Sequence, residues 1–254
     1  MLLVDVHAHL DTTFYGTEVD VVINRALKNN VKAIIANGVD RKTNREVLEL
    51  SKKYGLVKAA LGIYPPDALG IETNAETNWD LDDELVFIEK NIKKIIAVGE
   101  VGLDYKNGKD KEKQINLFKK LIEIAKKNNK PLIVHSRRAE KDVIDVLEGY
   151  NYGKIIMHCF NGNHKLVQRV RDNRWFFSIP TNVVRSEHMQ KIVKETPLSQ
   201  LLTETDSPFL SPYRDKRNEP SFVVESVKKM AEIKELEAEE TANNIWMNYE
   251  RLFK

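Results

Sequence analysis

The sequence predicts one (β/α)8 barrel, a TIM barrel, spanning residues 1–254 as a single domain with an additional C-terminal helix. Three observations carry that prediction. Short apolar runs alternate with helical segments along the whole chain. A chain of 254 residues with 42% hydrophobic content suits this barrel as one unit. Residues able to hold metal follow several of the apolar runs, at the end of the barrel where this fold builds its active sites. A doubly wound open sheet is the rival, but it calls for a Gly-rich phosphate turn after its first strand, and none is present.

Val4 to Leu10 opens the chain as a strand. Side chains alternate across it, so Asp5, His7 and His9 share one face and Val4, Val6 and Ala8 the other. Glu18 to Asn29 reads as a helix from the spacing of Val21, Val22, Ala26 and Leu27, and Val31 to Gly38 as the second strand. Helix Thr43–Tyr54, strand Leu56–Tyr64, helix Asp82–Ile92 and strand Ile95–Val101 continue the alternation. The loop from Pro65 to Trp79 is the longest irregular stretch, and loops of that length are commonly functional. Lys111 to Asn128 is a helix carrying Ile115, Phe118, Leu121, Ile122 and Ala125 on one side, stopped by Asn-Asn and Pro131. Strands Leu132–His135, Ile155–His158, Trp175–Ile179 and Leu201–Asp206 bring the count to eight. Helices near Glu140–Leu147, Lys165–Arg171, Ser186–Lys194 and Ser221–Ile233 follow them, and Ala238–Leu252 is the extra one.

Composition limits the partners. Lys+Arg of 40 against Asp+Glu of 38 leaves +2, too little to hold nucleic acid by bulk electrostatics, so any polyanion site must be local. Cys159 is alone and forms no internal disulfide. The N-terminus shows no basic segment, apolar run and cleavage site in succession, and no apolar run spans a bilayer. A cytoplasmic protein with no membrane partner and no obligate protein partner is expected.

His7 and His9 follow strand one, Glu100 strand four, His135 strand five, His158 strand six and Asp206 strand eight. Each has a plainer reading in isolation: His158 as a core histidine, Glu100 as a partner of Arg137, Asp206 as a turn residue before Ser207-Pro208. Convergence on one rim favours a metal centre. Four histidines and two carboxylates exceed what one tetrahedral ion needs and suit two ions sharing a carboxylate. Glu100 is the expected bridge, with His7, His9 and Asp206 on one ion and His135 and His158 on the other. Zinc, manganese or magnesium are the candidate divalent ions, magnesium being least natural beside nitrogen donors. His164 and His188 fall off the strand ends and are left out. The catalytic roles go to Asp206 as general base and to Glu204, two residues earlier, as the residue that orients a ligand.

The segments Val-Asp-Val-His7-Ala-His9-Leu-Asp11, Gly99-Glu100-Val-Gly-Leu-Asp104-Tyr, His135-Ser-Arg137-Arg-Ala139, His158-Cys-Phe-Asn-Gly162, Glu204-Thr-Asp206-Ser-Pro208 and Arg217-Asn-Glu-Pro220 resemble, in order, the motifs of the TatD family of metal-dependent hydrolases. The resemblance implies a barrel of the amidohydrolase superfamily, dependence on divalent metal, ligands at His7, His9, Glu100, His135, His158 and Asp206, and for several members deoxyribonuclease activity. Where many members carry His-Pro-His, this chain has Gly62-Ile63-Tyr64-Pro65-Pro66, which leaves a tyrosine hydroxyl as the available hydrogen-bonding group.

Hydrolysis by metal-activated water is the reaction class that fits, on a nucleic-acid substrate and preferentially single-stranded DNA cut from an end. Substrate contacts are expected from Tyr64, Arg137 and Arg217. Arg41, Lys42, Lys106, Lys109, Arg138, Arg185, Arg214 and Lys216 also follow strand ends, and Phe14, Tyr15, Tyr105, Phe160 and Tyr213 lie on the same loops, where they could stack on bases. Two alternatives stay open: hydrolysis of an ester, amide or lactone, including aminoacyl-tRNA, and a binding module that keeps a structural metal.

Overall fold

The computed structural model describes residues 1–65 and 80–254. Apart from Pro65, the expected long loop lies outside the described residues. Eight parallel strands follow one another in sequence order: β1 (Leu3–Ala8), β2 (Val31–Asn37), β3 (Val57–Leu61), β4 (Ala97–Asp104), β5 (Leu132–Arg137), β6 (Ile155–His158), β7 (Phe176–Ile179) and β8 (Leu201–Thr203). The last strand returns to the first. Ala8 bridges Ser207 in parallel, the His9 amide donates to the Ser207 carbonyl at 2.8 Å and the Asp206 amide to that of His7 at 2.9 Å. The sequence-order sheet and this closure make the (β/α)8 barrel.

The helices are α1 (Thr12–Tyr15), α2 (Val19–Lys28), α3 (Arg41–Lys53), α4 (Leu81–Asn91), α5 (Lys111–Lys127), α6 (Glu140–Glu148), α7 (His164–Asp172), α8 (Glu187–Glu195), α9 (Val223–Lys234) and α10 (Ala238–Phe253). Each long helix buries an apolar stripe against the strands, as α5 does with Leu117, Phe118, Leu121, Ile122 and Ala125. Deep in the barrel wall, strand residues such as Ile34, Val98, Ile133 and Ile156 are fully buried.

Three of the boundaries that differ from the sequence reading have a clear local reason. α3 starts two residues before the expected Thr43 because Asp40 caps it: its carboxylate accepts from the Thr43 amide at 2.7 Å, and Thr43 Oγ1 accepts from the Asp40 amide at 3.1 Å. β4 runs past Val101 to Asp104 because its ladder with β5 continues through Gly102–His135 and Asp104–Arg137. β8 stops at Thr203, not at Asp206. Beyond it, Asp5 holds Thr205 by its amide at 2.9 Å and by its hydroxyl, and Asp206 takes a positive φ of 53°.

Two glycines set how closely the strands approach at the mouth. Gly102 has φ 148°, and a Cβ there would stand 2.0 Å from the His135 carbonyl oxygen. At Gly62 a Cβ would stand 2.2 Å from the Glu100 carbonyl oxygen. Any side chain at either position would push β4 from its neighbours, and Glu100 and His135 with it.

Candidate metal centre

The C-terminal ends of β1, β4, β5, β6 and β8 deliver six side chains to one spot. Nε2 of His7 and Nε2 of His9 are 3.3 Å apart. Glu100 Oε2 lies 3.3 Å from the first and 3.5 Å from the second, and Asp206 Oδ1 lies 3.6 and 3.5 Å from them. A tetrahedral ion with bonds of about 2.1 Å needs its ligand atoms roughly 3.4 Å apart. These separations match that edge length, and the donor atoms fall into groups of three within 4.8 Å of one another: His7, His9 and Glu100 in one, His7, His158 and Asp206 in another, each able to hold a divalent ion. The Nδ1 atoms of both histidines are buried with no hydrogen-bond partner among the described residues, so both rings commit their polar contacts on the Nε2 side.

A third group shares Glu100. His135 Nδ1 is 2.6 Å from Glu100 Oε1, and His158 Nε2 is 4.0 Å from the same oxygen and 3.8 Å from Asp206 Oδ1. The three ligand atoms lie within 4.8 Å of one another. This set is less regular than the first, with His135 hydrogen-bonded directly to the carboxylate. The His158 ring stacks on His7 with centroids 3.7 Å apart.

Behind the cluster stand two carboxylates that aim its imidazoles. Glu204, fully buried, places Oε2 2.9 Å from His158 Nδ1, while its Oε1 accepts from the Cys159 amide at 3.0 Å. The Ser178 hydroxyl also donates to Glu204. Asp104 is the equivalent for His135, 3.2 Å from Nε2, and accepts the amides of Lys106 and Asn107 at 2.8 Å each. Glu204, expected from sequence to orient a ligand, thus contacts His158, one of the candidate ligands. Asp104 was not assigned a role from sequence, because β4 was expected to end before it. Asp5, on the same strand face as His7 and His9, points away into the Thr205 turn, where burial raises its pKa to about 8.

Charges inside the cluster are balanced by imidazole alone. Among the described residues no lysine or arginine forms an ion pair with Glu100 or Asp206, so the plainer pairing of Glu100 with Arg137 is absent. Burial by itself would raise Glu100, but His7 and His135 outweigh it and hold the carboxyl well below its ordinary range. Asp206 is lowered for the same reason, with His158 and His9 overcoming burial. Burial would lower His135, yet Asp104 and Glu100 raise it to about 9; His158 likewise rises to about 10 against burial through Glu204 and Asp206.

The cluster floors a cavity of about 790 Å3. Arg137, Arg138 and Lys106 line it, all exposed and without an ion pair among the described residues. Tyr64 borders it too, but its hydroxyl donates to Asp104 and accepts from Asn107 Nδ2 at 3.1 Å. The expected tyrosine-to-phosphate hydrogen bond is thus replaced by support for the carboxylate behind His135.

Arg217 is the misplaced expectation. Its guanidinium pairs with Glu18, donates to the Phe14 carbonyl at 3.2 Å and lies 4.4 Å from the Tyr15 ring centroid; it is not among the described residues lining the cavity. The segment Arg217–Pro220 serves the β8 loop instead. Asn218 Nδ2 reaches the carbonyls of Thr205 at 2.7 Å and Phe209 at 2.6 Å, and Glu219 takes Arg25 in a two-pronged pair. Of the aromatic residues expected to stack on bases, Phe14 lines the cavity; Tyr15 and Phe160 are buried, and Tyr105 bonds Asp142. Phe209, which lines it beside Phe14, was missed because Ser-Pro-Phe-Leu-Ser reads as a turn. Proximity to Asp206 in sequence was the available signal.

Comparison with known proteins gives the family and the fold. The family model described as TatD related DNase matches residues 4–254. A Bacillus subtilis protein named uncharacterized metal-dependent hydrolase YabD is 37% identical, covering 100% of this chain and 99% of that protein. A human protein named deoxyribonuclease TATDN3 is 35% identical, covering 99% and 94%. Among solved structures, the TatD homologue YJJV of Escherichia coli superposes with a TM-score of 0.87 at 24% identity, covering 99% of this chain and 97% of that one.

Proposed function

The chain belongs to the TatD-related family of metal-dependent hydrolases, and on that footing we propose that it is a deoxyribonuclease that cleaves phosphodiester bonds of single-stranded DNA from a strand end. One observation carries the reading: His9, Glu100, His135, His158 and Asp206, members of donor groups close enough to hold divalent ions, floor a cavity whose rim presents arginines with no ion partner among the described residues. Unpaired guanidinium groups next to an activating centre suit an anionic ester, since phosphate takes them in bidentate geometry. The barrel mouth admits a chain end more readily than an intact duplex.

In this reading His7, His9, Glu100 and Asp206 hold one ion, and Glu100, His135 and His158 a second. Zinc or manganese suits the nitrogen-rich donor set better than magnesium. Bound there, such cations would supply a lowered pKa to water and polarisation to a phosphoryl oxygen.

The chain's own groups do the rest. Asp206 borders the cavity with Glu100, is the more exposed of the two at 14% against 6% of the side chain, and stays ionised, so it can take a proton from the attacking water. Glu204 and Asp104 fix the rings of His158 and His135. Arg137 and Arg138 neutralise the phosphate that enters.

The test is a comparison of zinc- or manganese-loaded protein on single-stranded DNA, a phosphodiester chromogen and simple carboxylic esters. DNA and the chromogen are expected to be cut and the esters spared, and Glu100→Ala should abolish cleavage together with metal content. Faster turnover of esters than of either phosphodiester would overturn the assignment.

A further inference from the structure

We propose that Phe14 and Phe209 form a nucleobase-stacking wall of the cavity, set across the mouth from Arg137 and Arg138, so that the site selects a nucleotide over a base-free phosphate. The inference rests on the phosphodiesterase reading above and adds what lies beside the phosphate. Phe14 comes from α1, just after β1, and Phe209 from the loop after β8. Their rings meet edge to face at 5.2 Å, and each lies just over 6 Å from the His9 ring, at 6.2 and 6.3 Å. Both are large apolar rings left 38% and 48% exposed beside the donor cluster. Neither position is adventitious, because Arg217 donates to the Phe14 carbonyl and Asn218 to that of Phe209.

The opposite wall differs in kind. β5 stands four strands from β1 in the closed barrel, and it carries Arg137 at its end with Arg138 immediately after. A substrate whose phosphate sits over the donor atoms therefore meets a π surface on the β1–β8 side and a cationic one on the β5 side. A nucleotide chain supplies both a planar base and a further phosphate, whereas a sugar phosphate supplies only the anion. The cavity, about 790 Å3, has room for such a unit. Neither phenylalanine carries a hydrogen-bonding group, so the wall detects that a base is present and not which base.

The experiment is calorimetric titration of the metal-loaded protein with deoxyadenosine 5′-monophosphate and with 2-deoxyribose 5-phosphate. The nucleotide should bind about five- to 150-fold more tightly, the range of base–aromatic stacking. The double variant Phe14→Ala with Phe209→Ala should remove that difference while leaving affinity for the sugar phosphate unchanged. Arg137→Ala should weaken both probes alike. Equal affinities in the parent protein, or a preference that survives the double variant, overturns the wall. Cleavage decides the other reading separately: base-dependent affinity in a protein that cuts no oligonucleotide sinks the phosphodiesterase assignment and keeps the wall. Cleavage of DNA without base-dependent affinity does the reverse.

Discussion

At the scale of single residues, two imidazoles of this centre, those of His135 and His158, are held by carboxylates that do not line the cavity. Asp104→Asn and Glu204→Gln keep the shape of each contact but remove the charge that fixes ring orientation and basicity. Each should lower metal affinity and turnover by roughly 10–100-fold with little change in folding, as is usual for residues behind a ligand. Metal content after dialysis, read beside the far-ultraviolet circular dichroism, checks this; wild-type retention in both variants would contradict it. Titration gives a second prediction, with a definite sign. In the metal-free fold His135 and His158 sit at about 9 and 10, above the ordinary 6.5. The stability they contribute is complete below about pH 6.5 and is lost as pH rises through 9 and 10. Glu100, lowered from 4.5, contributes above that value and loses its share as pH falls through its folded pKa. His7 runs against them, since burial lowers it and its protonation favours the unfolded chain below 6.5. The Tm of metal-free protein should thus decline from pH 6.5 towards 10. Metal affinity should climb over the same interval, because both imidazoles must shed protons to act as ligands. Calorimetry in buffers of different ionisation enthalpy should count up to two protons released per molecule loaded at pH 7; a release of zero would refute the pKa pattern.

At the scale of elements, the β8 loop is the piece on which the site depends most. It carries Asp206 and Phe209 beyond the end of a three-residue strand, and Asn218 ties it down through the buried carbonyls of Thr205 and Phe209. Asn218→Ala strands those acceptors, at a cost of about 1–3 kcal/mol. Urea denaturation should register that loss, and hydrogen exchange should quicken at residues 205–210 before it does in β4 or β5. Uniform exchange across the barrel would mean that the loop is held by something else. This element also shows how far the sequence can be read. The alternation of apolar runs and helices revealed all eight strands, because packing against a helix layer imposes periodicities that local residues must obey. Candidate ligand positions were legible for the same reason: His7, His135 and His158 fall at or near the ends of strands whose apolar character is plain. What resisted reading was side-chain reach across long sequence separations. Nothing near Asp104 announces that it will meet His135, and nothing in Arg217-Asn-Glu-Pro220 distinguishes an arginine that binds substrate from one that pairs with Glu18.

For the molecule as a whole, a formal charge of +2 on 254 residues leaves association with DNA to local groups, and salt dependence counts them. Arg137, Arg138 and Lys106 are the cations lining the cavity. Three phosphate contacts on a single strand give a slope of log affinity against log salt of about −2, at roughly −0.7 per contact. The far end of the barrel is also basic: Lys58, Lys93, Lys94 and Lys130 surround a smaller cavity of about 270 Å3. Lys58 and Lys130, however, donate to the carbonyls of Gly55 and Ile95, and Lys94 to Asn91, so their charge serves chain ends and turns. A titration of fluorescent single-stranded DNA across salt concentrations separates the two faces. Arg137→Ala should flatten the slope by about 0.7, since it removes one phosphate contact. Arg217→Ala, its guanidinium already committed to Glu18 and the Phe14 carbonyl, should leave it in place. A slope much steeper than that, insensitive to Arg137 and reduced by Lys93→Ala, would move the DNA to the opposite end of the barrel and separate binding from the donor cluster.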